Sequence, residues 1–435
     1  MTVYLATVLD TPGETMLEPR LRAASGIALV VEDGTVVART DRADARTRFP
    51  DHDVVDLTEG VLLPGLVDTH VHYPQVRVVG GVGLPLLDWL RERALPEEAR
   101  LAEPGYAARV ATEFLTGLAG AGTTTALVFG SHFAGAMDQF FPAAAASGLR
   151  ITAGLVLSDV TLPEELLTTP QRAVEESVAL ATRWHGSGRL RYAVTPRFAL
   201  SAGEAMLDAC AAVVDAVDGV WVTSHLNENR DEVAQVRELF GVPGYLDAYD
   251  RHGLVTRRSV WAHDVHPTAA ELARLAETGT AVAHCPTSNA ALGSGIFPMR
   301  DHLAAGVSLA LGSDVGAGTG FCLLKEALQA CLLQHLHPEG AELGPAALLH
   351  LATRSGAQAL GLADTVGDLS VGKAFDAVWV RPARDSTLDV ALRHAADPAD
   401  ALARTITLGG PADVARTWVA GEAVTASRRT ELENA

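Results

Sequence analysis

Eight short apolar runs rich in β-branched residues constrain the fold of this chain more than any other feature. They lie at 65–72, 123–130, 150–157, 190–198, 219–226, 259–265, 281–286 and 307–314. The runs are continuous rather than alternating, the pattern of parallel strands buried on both faces. Most gaps carry a helical pattern, such as NENRDEVAQVREL after the fifth run and HPTAAELARLAETG after the sixth. Eight β-then-α units over roughly 250 residues predict an α/β protein built on a (β/α)8 TIM barrel. A doubly wound sheet would want a G-x-G-x-x-G turn after an early strand. None follows the first run, and the glycines of VGAGTGF (315–321) come after the last one with a different spacing.

The two chain ends read differently. IALVVEDGTVVAR (27–39) is two β-branched runs about Asp33-Gly34, a hairpin with a type I′ turn. Similar texture returns in AFDAVWV (374–380) and TWVAGEAVT (417–425). We therefore expect one small β-sandwich domain assembled from both ends, residues 1–63 and 365–435, around a barrel at 64–364.

Charge and cysteine content exclude several classes of function. The net charge is −19, a field that repels phosphate backbones and anionic lipid, so neither nucleic acid nor a membrane surface is expected as a partner. Residues 114–137 contain no Asp, Glu, Lys or Arg, but glycines, threonines, a serine and a histidine break the run into a helix end, a loop and a strand. Cys210, Cys285, Cys322 and Cys331 form no C-x-x-C pair and read as free thiols. The first residues, MTVYLATVLD, resemble no secretion signal, so a soluble cytoplasmic protein is expected.

Chemistry-bearing residues fall where barrel enzymes place them, at the C-terminal ends of strands. His70 and His72 lie two apart on the first strand, so both imidazoles point to one side. His335 and His337 repeat the H-x-H spacing within a helical stretch, where positions two apart diverge. The fifth strand ends in His225 with Glu228 three residues on; the sixth carries His263, the seventh His284, and the eighth ends in Gly-Ser-Asp314. Strand ends thus deliver histidines and an aspartate to one point, a donor set suited to Zn²⁺ or Fe²⁺. Such a set leaves a position for water, whose pKa falls to about 7 on a catalytic metal. With Glu228 and His263 beside it, the arrangement describes hydrolytic attack on an electrophilic carbon. Only two lysines occur, Lys325 and Lys373, both beyond the eighth run. A pair of metals bridged by a carboxylated lysine on a middle strand is therefore excluded, and one metal ion is expected.

PGLVDTHVHYPQ (64–75), LPLLDWL (84–90), TPRFALS (195–201), SHLNENRDE (224–232), AHCPTSNAALGSGIF (283–297) and LGSDVGAGT (311–319) resemble the guanine deaminases of the amidohydrolase superfamily. VGKAFDAVWV (371–380) is similar to their return into the β-domain. The resemblance implies one zinc, with iron as the other choice, on His70, His72, His225 and Asp314. It implies that His263 orients the bound water and that Glu228 relays protons. Gln75 and Arg197 would hydrogen-bond the purine, Phe198 would pack on it, and Trp89, His225 and Glu228 would line its pocket. His284 would support the pocket and Cys285 would pack beside it. The implied reaction is attack of a metal-bound hydroxide on C2 of guanine, giving xanthine and ammonia, in a homodimer. Two stretches depart from the pattern, 158–166 after the third strand and Ala290-Ala291 after the seventh, both candidates to reshape the pocket rim. Deamination of a related aminoheterocycle, such as 8-oxoguanine or a pterin, and a non-catalytic scaffold are the other readings the residues leave open.

Overall fold

The computed structural model describes residues 1–424. The end of the expected strand at 417–425 and of the domain at 365–435 therefore lies outside the described residues.

All eight expected barrel strands form. In order they are Leu66–His72, Thr123–Phe129, Arg150–Gly154, Leu190–Pro196, Trp221–Leu226, Ser259–His263, Ala281–His284 and Ser308–Leu311. They pair in parallel in chain order, and the third resumes as Val156–Leu157 against the fourth. Every residue of the first, second, fifth, sixth and seventh strands is buried, which accounts for their unbroken apolar runs. Helices Arg230–Phe240 and Ala269–Thr278 follow the fifth and sixth strands, each opened by a capping box and closed by a left-handed glycine.

The seam between the first and eighth strands is joined by polar groups. Asp314 N–H donates to the His70 carbonyl at 2.9 Å, and Thr69 Oγ1 donates to the Leu311 carbonyl at 2.8 Å. Ser313 N–H and its hydroxyl both donate to the Asp68 carboxylate. Ring closure thus runs through the residues flanking His70 and Asp314.

The two ends meet in one separate seven-stranded sheet. Strands Thr2–Asp10, Arg22–Glu32, Thr35–Asp41 and Asp53–Pro64 come from the start of the chain, and Ala377–Val380, Val414–Val419 and Glu422–Ala423 from its end. Asp33 and Gly34 both have positive φ, 47° and 76°, the type I′ geometry their sequence demands. Aromatic stacking of Tyr4 on Phe375, 4.5 Å between centroids, ties the ends together. Lys373 pairs with Asp368 in this region and Lys325 opens onto solvent from helix Leu323–Leu336, so neither lysine lies on a barrel strand. Among the described residues no helix is long and apolar enough to cross a membrane.

Candidate active site

Four strand ends bring nitrogen and oxygen atoms to one point. His70 Nε2 and His72 Nε2 lie 3.2 Å apart, and each is 3.2 Å from Asp314 Oδ1. His225 Nε2 is 3.3 Å from His72 Nε2. Donors bound at 2.0–2.2 Å to one tetrahedral ion lie roughly 3.3–3.6 Å from one another, so this spacing fits a single metal of zinc size. His263 also falls within reach, grouped with His70 and His225, so it is a further candidate donor beside the expected four.

Protonation fits the same use. His225 Nδ1–H donates to the Arg197 carbonyl at 2.5 Å, which fixes the tautomer and leaves Nε2 with its lone pair. Burial holds the imidazoles of His70, at about 3, and His225 far below their ordinary value, so both are neutral and able to ligate. Burial alone would raise the Asp314 carboxyl, but hydrogen bonds from His70 and His72 hold it well below the carboxylate range. The His263 ring is aligned by its Nδ1–H donating to Asn289 Oδ1 at 2.9 Å. Its Nε2 is buried without a hydrogen-bond partner, 3.5 Å from Glu228 Oε2 and 3.9 Å from Asp314 Oδ2.

Glu228 is in the opposite state. Burial first, and the Asp314 charge second, push its carboxyl well above the ordinary value, so it carries a proton. The Ser294 hydroxyl is 3.5 Å from its Oε1. Backbone φ is positive at Asn227 (48°), His263 (76°), Asp264 (47°) and Asp314 (47°), all at these strand ends. Each such residue costs on the order of 1–3 kcal/mol and persists only where neighbours over-determine it. Here Asn227 Nδ2 donates to Asp264 Oδ1 at 2.8 Å, and His302 holds the other Asp264 oxygen at 2.8 Å.

The adjoining pocket is lined by His72, Gln75, Arg197, Phe198, His225, Glu228, His263 and Asp314, with Leu86, Trp89, Leu90, Leu292 and Ala317 supplying apolar surface. Every residue expected from the sequence to touch metal or substrate lines it except His70, which sits one layer deeper, fully buried. His284 does not reach the pocket. It stacks on Phe297, 4.3 Å between centroids, and Phe297 stacks equally close on His302, so its strand end braces the Asp264 contact from behind. Burial raises the Cys285 thiol well above its usual value, which suits packing. Neither 158–166 nor Ala290-Ala291 supplies a lining residue. A larger groove, about 1110 Å³, lies between the β-domain and the last helices, far from this chemistry.

Three partners escaped the sequence reading. Glu98, on helix Leu95–Ala99, accepts from Arg197 Nη2 at 2.9 Å and from Gln75 Nε2 at 2.7 Å. His132, just past the second strand, donates Nε2–H to the other Glu98 oxygen at 3.1 Å. Asn289 is the third. His132 carried the same signal as the others, a histidine at a strand end, whereas Glu98 lies in a charged helical stretch that reads as a solvated face.

The family model for the amidohydrolase family matches residues 61–424. The chain is 57% identical over 432 residues to a probable guanine deaminase of Deinococcus radiodurans, with 98% of each chain covered. Among solved structures, E. coli guanine deaminase superposes with a TM-score of 0.94 at 34% identity, covering 97% of this chain and 99% of that one. Guanine deaminase from C. acetobutylicum with bound guanine in its active site superposes at 0.89 and 26% identity, covering 97% and 99%. Together with the ligand cluster at the mouth of the barrel, these matches establish that the chain belongs to the amidohydrolase family.

Proposed function

We propose that this chain hydrolyses guanine to xanthine and ammonia, using one zinc ion held by His70, His72, His225 and Asp314. The observation that carries the reading is the convergence of these four donors, spaced for one ion, beside a pocket holding both a protonated carboxyl and a fixed guanidinium. The similarity to guanine deaminases over nearly the whole chain supports guanine as the substrate. A metal bound there would acidify a water so that it attacks at neutral pH.

The chain's own groups do the rest. Arg197 and Gln75 hold the purine by its heteroatoms while Phe198 and Trp89 pack on it. Asp314, ionised, takes the proton of the attacking water, and His263, its ring set by Asn289, presents Nε2 to the same water. Glu228, protonated, gives its proton to N3 as C2 becomes tetrahedral and recovers one from the new C2 hydroxyl as the carbonyl forms, while the proton held by Asp314 passes to the amine, which leaves as ammonia. Residues 64–364 form the catalytic unit in this reading. Zinc rather than iron, a homodimer and a cytoplasmic location belong to it as well and rest on the resemblance.

The test is incubation of the purified chain with guanine while following xanthine and ammonia, with adenine, cytosine, 8-oxoguanine and a pterin alongside. We expect guanine to be turned over in preference to the others. Chelation should abolish the activity and added zinc restore it. Ammonia release from another member of the panel and not from guanine would overturn the substrate assignment.

A further inference from the structure

One buried ion pair borders the pocket without entering the chemistry above. Glu98 is 3% exposed and does not line the cavity, whereas Arg197 and Gln75 both do. One Glu98 oxygen accepts from both, Arg197 Nη2 at 2.9 Å and Gln75 Nε2 at 2.7 Å. The other accepts from Arg197 Nε at 3.3 Å and from His132 Nε2 at 3.1 Å. Arg197 Nη1 takes part in neither bond. Gln75 is held at its other end too, its Oε1 accepting from Gly316 N–H at 3.2 Å. The neighbouring Glu97 faces away, to Tyr106 and Arg100.

We propose that Glu98 is a positioning residue that also sets the charge of the purine pocket: it aims Arg197 and Gln75 at the base and cancels the guanidinium's charge, so the pocket accepts a neutral heterocycle and rejects an anionic one. This rests on the reading that Arg197 and Gln75 contact the base. An unpaired buried arginine is an anion site, because its five donors and fixed charge match a planar anion. Paired on its Nε edge with Glu98, the guanidinium offers a directed donor with no net charge behind it. Two further facts agree. Burial alone would raise the Glu98 carboxyl, yet the charge of Arg197 and the hydrogen bond from His132 hold it well below the ordinary value, so the pair is ionic. Burial lowers the His132 imidazole, so the third partner is a neutral donor and adds no second positive charge.

Charge selection matters at product release. Hydrolysis replaces an amine on C2 by a carbonyl, and xanthine is a stronger acid than guanine because two carbonyls share the charge of its anion. A pocket with an unpaired arginine would hold that anion; the paired pocket lets it go.

The experiment uses the metal-loaded full chain and measures guanine kinetics and inhibition by added xanthine, below and above the pKa of xanthine itself. For the unaltered protein, the xanthine Ki should rise as xanthine ionises. Glu98→Gln keeps the shape but removes the charge, and it should raise the guanine KM by about tenfold or more, with a smaller effect on kcat. In this variant the xanthine Ki should fall, not rise, as xanthine ionises. Glu98→Asp keeps the charge with a shorter reach. It should raise KM yet retain the original direction of the xanthine profile, a split that a purely structural role would not produce. A Ki that falls on ionisation in the unaltered protein overturns the proposal, and so does Glu98→Gln with an unchanged KM and profile. Should Glu98→Gln fail to fold, the unaltered protein and Glu98→Asp decide the matter. Arg197→Met separates the two levels. An unchanged guanine KM there overturns the substrate-binding reading itself, whereas a raised KM alongside a silent Glu98→Gln overturns only the role of Glu98.

Discussion

Two walls of one pocket hold glutamates of equal burial in opposite states. Behind the wall formed by Arg197 and Gln75, Glu98 is ionised, because Arg197 lies against it. On the wall that faces the ligand cluster, Glu228 is neutral, because burial raises its carboxyl and the Asp314 charge raises it further. The same holds one layer out: burial raises Glu232 to about 7 and Glu326 to about 8. Burial alone therefore does not decide the state of a carboxyl; the presence of a built-in cation does. The first wall is electrostatically complete within the protein. The second is complete only when a cation is supplied.

The sharpest way to break this contrast is Glu228→Gln. The amide cannot deliver a proton, so kcat should fall by about 10²–10⁴-fold. Metal content should stay at the level of the unaltered protein, because Glu228 is not among the four donors. Near-normal turnover in this variant, measured beside metal analysis, would place the proton donor elsewhere.

A smaller effect is expected one step back from the chemistry. Asn289→Ala frees the His263 ring that its side chain aligns. Outer partners of this kind typically contribute about 10–100-fold, so kcat should drop in that range with the guanine KM nearly unchanged. An equal rise in KM would instead assign Asn289 to the recognition wall.

The smallest effect concerns stability against pH. Glu232 and Glu326 have folded pKa values above the ordinary carboxylate value. The native state therefore keeps protons that the unfolded chain has released. The stabilisation they contribute is present at acid pH and is lost as pH rises through about 7 to 8. Below about pH 6.5 the buried neutral histidines act in the opposite sense, because the unfolded chain protonates them, so for the metal-free protein the decline in Tm should show between about pH 7 and about pH 8. Glu326→Gln, which stays neutral beside Thr287, should flatten the decline. A metal-free Tm that climbs over this interval would contradict the neutral state of these carboxyls.

The reactive wall was legible from the sequence because each of its members ends a strand of an eight-fold repeat. His70, His72, His225, Glu228, His263 and Asp314 follow β-branched runs at positions a parallel barrel aims to one side. The recognition wall was half legible. Arg197 directly follows a strand and Gln75 ends the short turn after another, but their common partner Glu98 comes from a helical segment whose periodicity is interrupted. Leu90–Ala94 forms a π-helical turn between Leu86–Trp89 and Leu95–Ala99. One such turn shifts the helix register, so a 3.6-residue pattern places Glu98 on the wrong face. The braced aspartate Asp264 and its partner His302 were equally hidden, since their meeting depends on left-handed backbone that no periodicity announces.

The polar seam between the first and eighth strands has a consequence for how the chain assembles. Asp68 and Ser313, which join there, are 245 residues apart in sequence. Contacts of such separation form late, because the entropy of closing the intervening loop is lost before any of them is gained. His70 and Asp314 flank that same seam, so their shared donor geometry cannot exist in a chain whose ring is still open. A metal ion held jointly by His70 and Asp314 would therefore bind only the completed barrel.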